Sequence, residues 1–295
     1  MNEIAIPKRS DFRFRERLRV RWAEVDMQGI VFNGHYLMYV DTAVAGYWRA
    51  LAVPYQAAMR QIGGDLYVRK ATLEYHASAR YDELVEIGVR CARIGNSSLL
   101  FEAAIFLGER LLVSGELVYV YADPATQRSQ PVPAPLRETL LGYEAGETTV
   151  EAQVGTWQAL GAEAQAIRTA VFVEEQGIPA ELEWDAADAD AVQALVRNRL
   201  GMAVATGRML VHAPGVARIG RMAVLPSVRG AGVGRRVLDA LVEVARVRGD
   251  REVLLHAQAS AVPFYVRAGF VERGVPYEEA GIPHIDMTLA LRPAG

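Results

Sequence analysis

Apolar positions recur with two different periods along the chain, and the order of those periods changes partway. Residues 15–22 read as a strand, and a loop over 23–32 leads into a helical stretch from Asn33 or Gly34 to Leu51. That stretch is apolar on nearly every side, from Tyr36, Leu37 and Met38 to Tyr47 and Trp48, so it is expected to be wrapped by other structure. Residues 67–75, 84–94, 99–107 and 111–121 show partial period-two alternation, clearest at Val85, Ile87, Val89 and Cys91. Gly95-Asn96 and Gly108-Glu109 supply turns between them. One buried helix followed by a long antiparallel sheet is an α+β pattern.

The second half reads as a mixed α/β domain. A strand over 149–154 precedes a helix over 156–174, with Thr156 as its N-cap. A hairpin follows, 191–196 and 202–209, turning at 198–201. Then come a strand over 217–225, a glycine-rich loop, a helix over 233–248 closed by Gly249, a strand over 252–257 and a short helix over 262–268. Between the halves, residues 124–149 hold Pro124, Pro131, Pro133 and Pro135, a short helix around 136–141, Gly142 and Gly146, and read as a linker. Two domains, 1–146 and 147–295, are expected, and a length of 295 residues suits two.

Composition narrows the class. Charged residues at 23% and hydrophobic residues at 51% exclude disorder along most of the chain. A net charge of −3 argues against generic nucleic-acid binding. The single cysteine, Cys91, excludes a disulfide framework and a cysteine zinc cage and suits a reducing cytoplasm. Residues 1–10 have no apolar core of signal-peptide length, and 27–40, the longest uncharged stretch near the front, is too short to span a bilayer. Charge is unevenly placed. Residues 151–190 hold nine acids against Arg168, whereas 218–251 hold eight arginines against Asp239, Glu243 and Asp250.

The arginine-rich part contains Arg229-Gly230-Ala231-Gly232-Val233-Gly234, after a strand and opening a helix. Glycines let backbone N–H groups turn toward one point and a helix N-terminus adds partial positive charge, so the loop suits a phosphate or pyrophosphate. Val233, Val237, Leu241 and Val244 give the helix a buried stripe and leave Arg235 and Arg236 at the mouth. The spacing is not that of the dinucleotide fingerprint. Residues 221–234, from Arg221-Met222-Ala223-Val224 to Gly234, resemble the acetyl-CoA signature of the GNAT N-acetyltransferases, and Pro263-Phe264-Tyr265-Val266-Arg267-Ala268-Gly269-Phe270 resembles that family's second hallmark. The flanks 171–177 and 278–285 are similar to an ElaA-like branch. The resemblance covers about 150–295 and implies an α/β domain with a mixed sheet. It implies that Met222, Ala223 and Val224 pair with the pantetheine arm of acetyl-CoA, that Arg229 to Arg235 hold its pyrophosphate, and that Tyr265 protonates the departing thiolate. Glu174, Glu175, His256 and His284 stay open as candidates for the base, beside an ordered water.

The first half carries a second chemical candidate. Asp26 stands in a glycine-bearing turn before a helix N-terminus, where unpaired N–H groups can stabilise an oxyanion. That layout suits thioester hydrolysis with Asp26 as nucleophile or general base, while a cap or a solvated charge stays open. The pattern Asp26-x-x-Gly29-Ile30-Val31-Phe32-Asn33-x-x-Tyr36-Leu37, followed by 68–75 and by 119–124, resembles the hotdog-fold 4-hydroxybenzoyl-CoA/YbgC-like acyl-CoA thioesterases over about 12–140. The resemblance implies Asp26 as the catalytic carboxylate and the Asn33 N–H as a donor to the thioester carbonyl. Several YbgC-like members have His where this chain has Asn33, which removes any side-chain role there. His35 is open as a substitute base or as a packing residue.

Together these readings describe a bifunctional enzyme, a hotdog acyl-CoA thioesterase followed by a GNAT N-acetyltransferase. The expected substrates are acyl-CoA and acetyl-CoA with an amine, and no metal is implied. The acids of 151–190 favour a cationic amine, and the family implies a homodimer or homotetramer through the hotdog half. Two alternatives stand: one half is only a CoA-binding or assembly module, or the hotdog half is a hydratase or dehydratase, which needs a His–acid pair.

Overall fold

Partial alternation of burial along three long strands marks the sheet of the first half. The computed structural model describes residues 6–279 and 281–291, and the chain separates into two units, Met1–Thr149 and Val150–Gly295. In the first, β1 (Phe14–Arg19), β2 (Asp65–Tyr75), β3 (Leu84–Ile94), β4 (Ser98–Leu107) and β5 (Arg110–Ala122) form an antiparallel sheet in the order β1-β3-β4-β5-β2. Val85, Ile87, Val89 and Cys91 of β3 are all buried, as their period-two spacing predicts. Helix α1 (Asn33–Ala50) lies against β1 and β3 and buries Tyr36, Tyr39, Val40, Tyr47 and Trp48. A Cβ on Gly46 would run into the side chains of Phe14 and Glu16, so glycine sets how closely α1 approaches β1.

Three features depart from the sequence reading. First, α1 is not wrapped: Leu37 and Met38 are exposed, because one sheet covers only one side of a helix. Second, α2 (Tyr55–Ile62), which begins at Pro54 and stops at Gly63 with φ +75°, was not expected. Third, the proline-bearing segment 124–149 is more than a tether. It holds α3 (Ala134–Glu144), which buries Leu136, Leu140 and Tyr143. Its Glu144 accepts hydrogen bonds from the Tyr47 hydroxyl and the Cys91 N–H.

Among the described residues the second unit has seven strands. In chain order its elements are β6 (Val150–Gly155), α4 (Trp157–Arg168), α5 (Ala180–Glu183), β7 (Val192–Asn198), β8 (Ala203–Ala213), β9 (Val216–Val224), α6 (Val233–Arg248), β10 (Glu252–Gln258), α7 (Val262–Arg267), β11 (Val271–Glu279) and β12 (Ile282–Ala290). The sheet order is β11-β12-β10-β9-β8-β7-β6. Every neighbouring pair is antiparallel except β9 and β10. Helix α4 ends at Arg168 and widens into a π-helical turn, Thr169–Glu175, instead of running on as an α-helix to residue 174. Thr156 stands at its N-cap position, but the hydroxyl makes no capping bond. The hairpin of β11 and β12 was not anticipated. Every position of β11 is exposed, so it lacks the apolar alternation that marks a strand.

The β9–β10 pair positions the site. Its ladder runs from Val216 with Glu252 to Ile219 with Leu255 and stops there, although both strands continue. From Gly220 to Val224, β9 is paired only with β8 on its other side.

Candidate active sites

At the end of β9 the chain turns into α6 through the glycine-rich loop. Gly230 (φ +89°) and Gly232 (φ +78°) are both left-handed, and nothing lies within 4 Å of where a Cβ on either would stand. Among the described residues, the backbone N–H groups of Gly230, Gly232, Val233 and Gly234 donate to no protein acceptor, whereas those of Arg229 and Ala231 are used by Pro226 and Val228. Four free donors at the start of a 16-residue helix form an anion cradle. Beside it, β9 at Met222, Ala223 and Val224 has no strand on its outer edge; the Val224 carbonyl accepts from Arg229 Nε (3.1 Å), and the remaining outward main-chain groups face an extended ligand. Ala223 itself is buried in the core under α4, with Leu160, Ala164 and Phe172. The residues present therefore fit a nucleotide thioester with a pyrophosphate and an extended amide arm.

The charges around this loop differ from the sequence reading. Arg229 is bidentate to Glu175 (both 2.6 Å), so its guanidinium is engaged by protein, and Arg235 is held by Asp239 (2.7 Å). Arg236 forms no ion pair among the described residues. Arg246, Arg248 and Arg251 do not surround the loop. They lie in the last turn of α6 or beyond it, about 20 Å or more away at 1.5 Å per residue, and Arg246 and Arg248 pair with Glu243 and Asp250. Most of the acids in 151–190 are likewise neutralised: Glu163 by Arg197, Glu175 by Arg229, Glu183 and Asp188 by Arg168, and Asp185 by Arg208. Five of the nine acids are thus paired within the protein, so the acid count no longer singles out a cationic acceptor.

Tyr265 sits on α7 and is buried against Phe264 and Phe270. Burial pushes its phenol up to about 12, and its hydroxyl has no protein partner among the described residues. Of the candidate bases, Glu175 is held below its ordinary range by the hydrogen bond from Arg229. Glu174 is exposed, with no hydrogen bond or ion pair among the described residues. His284 bonds the Ile282 carbonyl through Nδ1 (2.7 Å), and His256 is bonded to Asp286 and Tyr277. Of the flank 278–285, Ala280 lies outside the described residues, as do residues 1–5 of the front segment.

In the first unit, Asp26 closes a tight loop. Its N–H bonds the Ile30 carbonyl (2.9 Å), its carbonyl accepts from Gly29 (3.0 Å), and Oδ1 accepts from the Gln28 N–H (2.8 Å). Gly29 carries φ +72°. Buried Glu24 anchors the loop from behind, accepting from Tyr39 (2.6 Å) and from Arg21, while its carbonyl takes the Phe32 N–H (2.9 Å). Asn33 is the first residue of α1. Neither its N–H nor that of Gly34 has an acceptor among the described residues. A cleft of about 450 Å³ is lined by Asp26, Phe32, Asn33, Tyr36, Tyr75 and His76, among others. It brings together the carboxylate and the helix N-terminus that the sequence singled out.

His35 does not line that cleft; it packs edge-on to Phe32, and its Nδ1 is buried without a partner. The histidine in the cleft is His76, whose Nε2 lies 2.8 Å from the Ser114 hydroxyl. It follows β2 directly, and the contacts of Tyr75 with Tyr36 and the Asn33 carbonyl bring this end of β2 to the cleft that Asp26 lines. Among the described residues no group of three or more His, Cys, Asp or Glu is arranged to hold a metal, and no helix is long and apolar enough to cross a membrane.

Comparison with known proteins gives one family match in each half of the chain. Residues 163–291 match the family described as an acetyltransferase (GNAT) domain, and residues 28–114 match the thioesterase superfamily. An uncharacterized N-acetyltransferase of Bacillus subtilis (strain 168), YjcF, is 37% identical over 122 residues, which is 41% of this chain and 86% of that protein. Among solved structures, a thioesterase from Thermus thermophilus complexed with coenzyme A and Zn is 25% identical, with 47% of this chain and 98% of that one covered at a TM-score of 0.41. The PA5185 protein of Pseudomonas aeruginosa PAO1 is 30% identical, with 46% and 94% covered at a TM-score of 0.40.

Proposed function

From a chain that belongs to the GNAT acetyltransferase family through its second unit and carries a thioesterase-superfamily hotdog domain as its first, we propose a cytoplasmic enzyme with two CoA-dependent activities. The first unit hydrolyses an acyl-CoA thioester. The second transfers the acetyl group of acetyl-CoA to an amine.

In the first unit the thioester carbonyl oxygen lies against the free N–H groups of Asn33 and Gly34, where the start of α1 favours the charge that develops in the tetrahedral state. Asp26 attacks the carbonyl carbon or activates a water that does so; its Oδ1 is fixed by Gln28, which leaves Oδ2 for chemistry. In the second unit the pyrophosphate rests on the N–H groups of Gly230, Gly232, Val233 and Gly234. The pantetheine arm runs along the unpaired edge of β9 at Met222 to Val224, and Tyr265 delivers a proton to the CoA thiolate as the carbon–sulfur bond breaks. The reading leans chiefly on one observation: both units present unused main-chain donors at the first turn of a helix beside the candidate chemistry. The bare edge of the 11-residue strand β2 is where we place subunit contacts of a homodimer or homotetramer.

The test is a screen of acyl-CoA thioesters for thiol release, with and without added amines. Release of one set of thioesters without amine, and amine-dependent release from acetyl-CoA, is the expected outcome. A second reading of the first unit, as a hydratase or dehydratase, is favoured by His76 lining the same cleft as Asp26. Water addition to an enoyl-CoA that survives Asp26→Asn but not His76→Ala would favour it.

A further inference from the structure

His256 is the first residue of β10 beyond the point where β9 and β10 stop pairing. Its side chain lies on the α4 side of the sheet. Gln258, two residues on and therefore on the same face, donates to Gln176, which follows the π-helical turn of α4 (3.1 Å). The imidazole is oriented from behind. Nδ1 lies 2.7 Å from Oδ1 of Asp286, the residue directly opposite on β12, and 2.6 Å from the Tyr277 hydroxyl of β11, which itself donates to Asp286 (2.9 Å). Tyr277 is in turn stacked on His284, with ring centres 6.0 Å apart. Burial, and then the Asp286 carboxylate, push the Tyr277 phenol up, so Tyr277 stays protonated and donates its O–H as a hydrogen bond to Asp286. An acceptor at Asp286 favours the neutral tautomer with its hydrogen on Nδ1, whose lone pair is on Nε2, an atom with no protein partner among the described residues.

The other charged groups near this face are engaged or turned elsewhere. Arg273 of β11 pairs with Glu252 of β10 (3.0 Å), and Arg221 of β9 reaches toward Glu183 and Asp185. Glu175, next to Gln176, is tied to Arg229, and His284 is bonded to the Ile282 carbonyl. Arg218 of β9 stands opposite Leu254, and Glu279 of β11 acts on Tyr277. Among the described residues, only His256 combines an orienting carboxylate, a free ring nitrogen and a position at the parting of β9 and β10.

Resting on the acetyl-transfer reading of the second unit, we propose that His256 is the general base for the acceptor amine, with Asp286 and Tyr277 as positioning residues. The ammonium form of the acceptor gives one proton to Nε2. The freed lone pair attacks the thioester carbon, forming the C–N bond. Collapse of the tetrahedral species breaks the C–S bond, and Tyr265 protonates the thiolate. The surplus proton on the new amide nitrogen returns through solvent to Tyr265, and His256 releases its proton to water. Ammonium and thioester thus become amide, thiol and one proton.

The experiment follows thiol release from acetyl-CoA with n-butylamine, putrescine and glucosamine across a pH series, and acetyl-CoA binding by calorimetry, for the full chain. His256→Gln is expected to lower kcat by about 10²–10³-fold, to leave acetyl-CoA affinity within about threefold, and to abolish the acid limb of kcat/KM. Added imidazole is expected to restore part of the rate in His256→Gly, and Asp286→Asn to displace the acid limb. If the wild type transfers acetyl groups while His256→Gln keeps both its rate, within about threefold, and its acid limb, the base assignment alone is wrong. If the wild type binds acetyl-CoA yet releases no thiol with any of the amines, the acetyl-transfer reading falls and the base assignment falls with it.

Discussion

Gly232 shows what one residue decides. At φ +78° it turns the chain into α6 and leaves its own N–H free, a conformation that costs a branched L-residue about 1–2 kcal/mol. Gly232→Val is expected to weaken acetyl-CoA binding at least about tenfold by calorimetry while α6 still forms, since a loss of about 1.4 kcal/mol already gives a factor of ten. Asp185 carries a pH effect. The hydrogen bond from Arg208 holds its carboxyl at about 2, below the ordinary 3.8. A folded-state value below the unfolded one means that the stabilisation is complete above about 3.8 and is lost as pH falls through about 2. Chemical unfolding followed down to acid pH is expected to show that loss in the wild type and a flatter profile in Asp185→Asn. The sequence made Asp26, Asn33 and the glycine loop legible because local spacing defines a turn at a helix start. It could not reveal that Arg229 is committed to Glu175, 54 positions away, or that His76 and not His35 lines the Asp26 cleft.

Among the elements, α4 and α5 are joined by charge more than by apolar packing. Arg168 and Glu183 are each only 1% exposed. The guanidinium bonds Glu183 (2.6 Å) and Asp188 (2.7 Å) and faces the Trp184 ring at 4.6 Å. Removing one partner of such a buried network costs about 3–5 kcal/mol, so Arg168→Met is expected to lower the unfolding free energy of the second unit by that amount in denaturant titration. A loss below about 1 kcal/mol would mean that the network is solvated in solution. With Arg208 and Asp185 added, this network takes up three of the nine acids in 151–190, which linear charge counting assigned to substrate. Helices with strong punctuation were legible: α6 runs from the glycine loop to Gly249 as expected. Elements without periodic burial were not, as β11 illustrates. The apolar run of α1 was visible, but which of its faces is exposed depends on there being a single sheet beneath it.

For the whole molecule, the order of elements carried the most information. A helix followed by antiparallel strands, then a strand–loop–helix with a parallel neighbour, separates a hotdog domain from a GNAT domain, and each has its own unpaired helix start. The account's central claim is that these are two independent chemistries on one chain. The most direct measurement is thiol release by wild type, Asp26→Asn and Tyr265→Phe, each assayed with a hydrolysed acyl-CoA alone and with acetyl-CoA plus amine. Asp26→Asn is expected to lose about 10²-fold or more in the amine-independent reaction and to retain the amine-dependent one, and Tyr265→Phe to do the reverse by about 10-fold or more. If either substitution suppresses both reactions equally, or if Asp26→Asn leaves hydrolysis unchanged, the claim is contradicted.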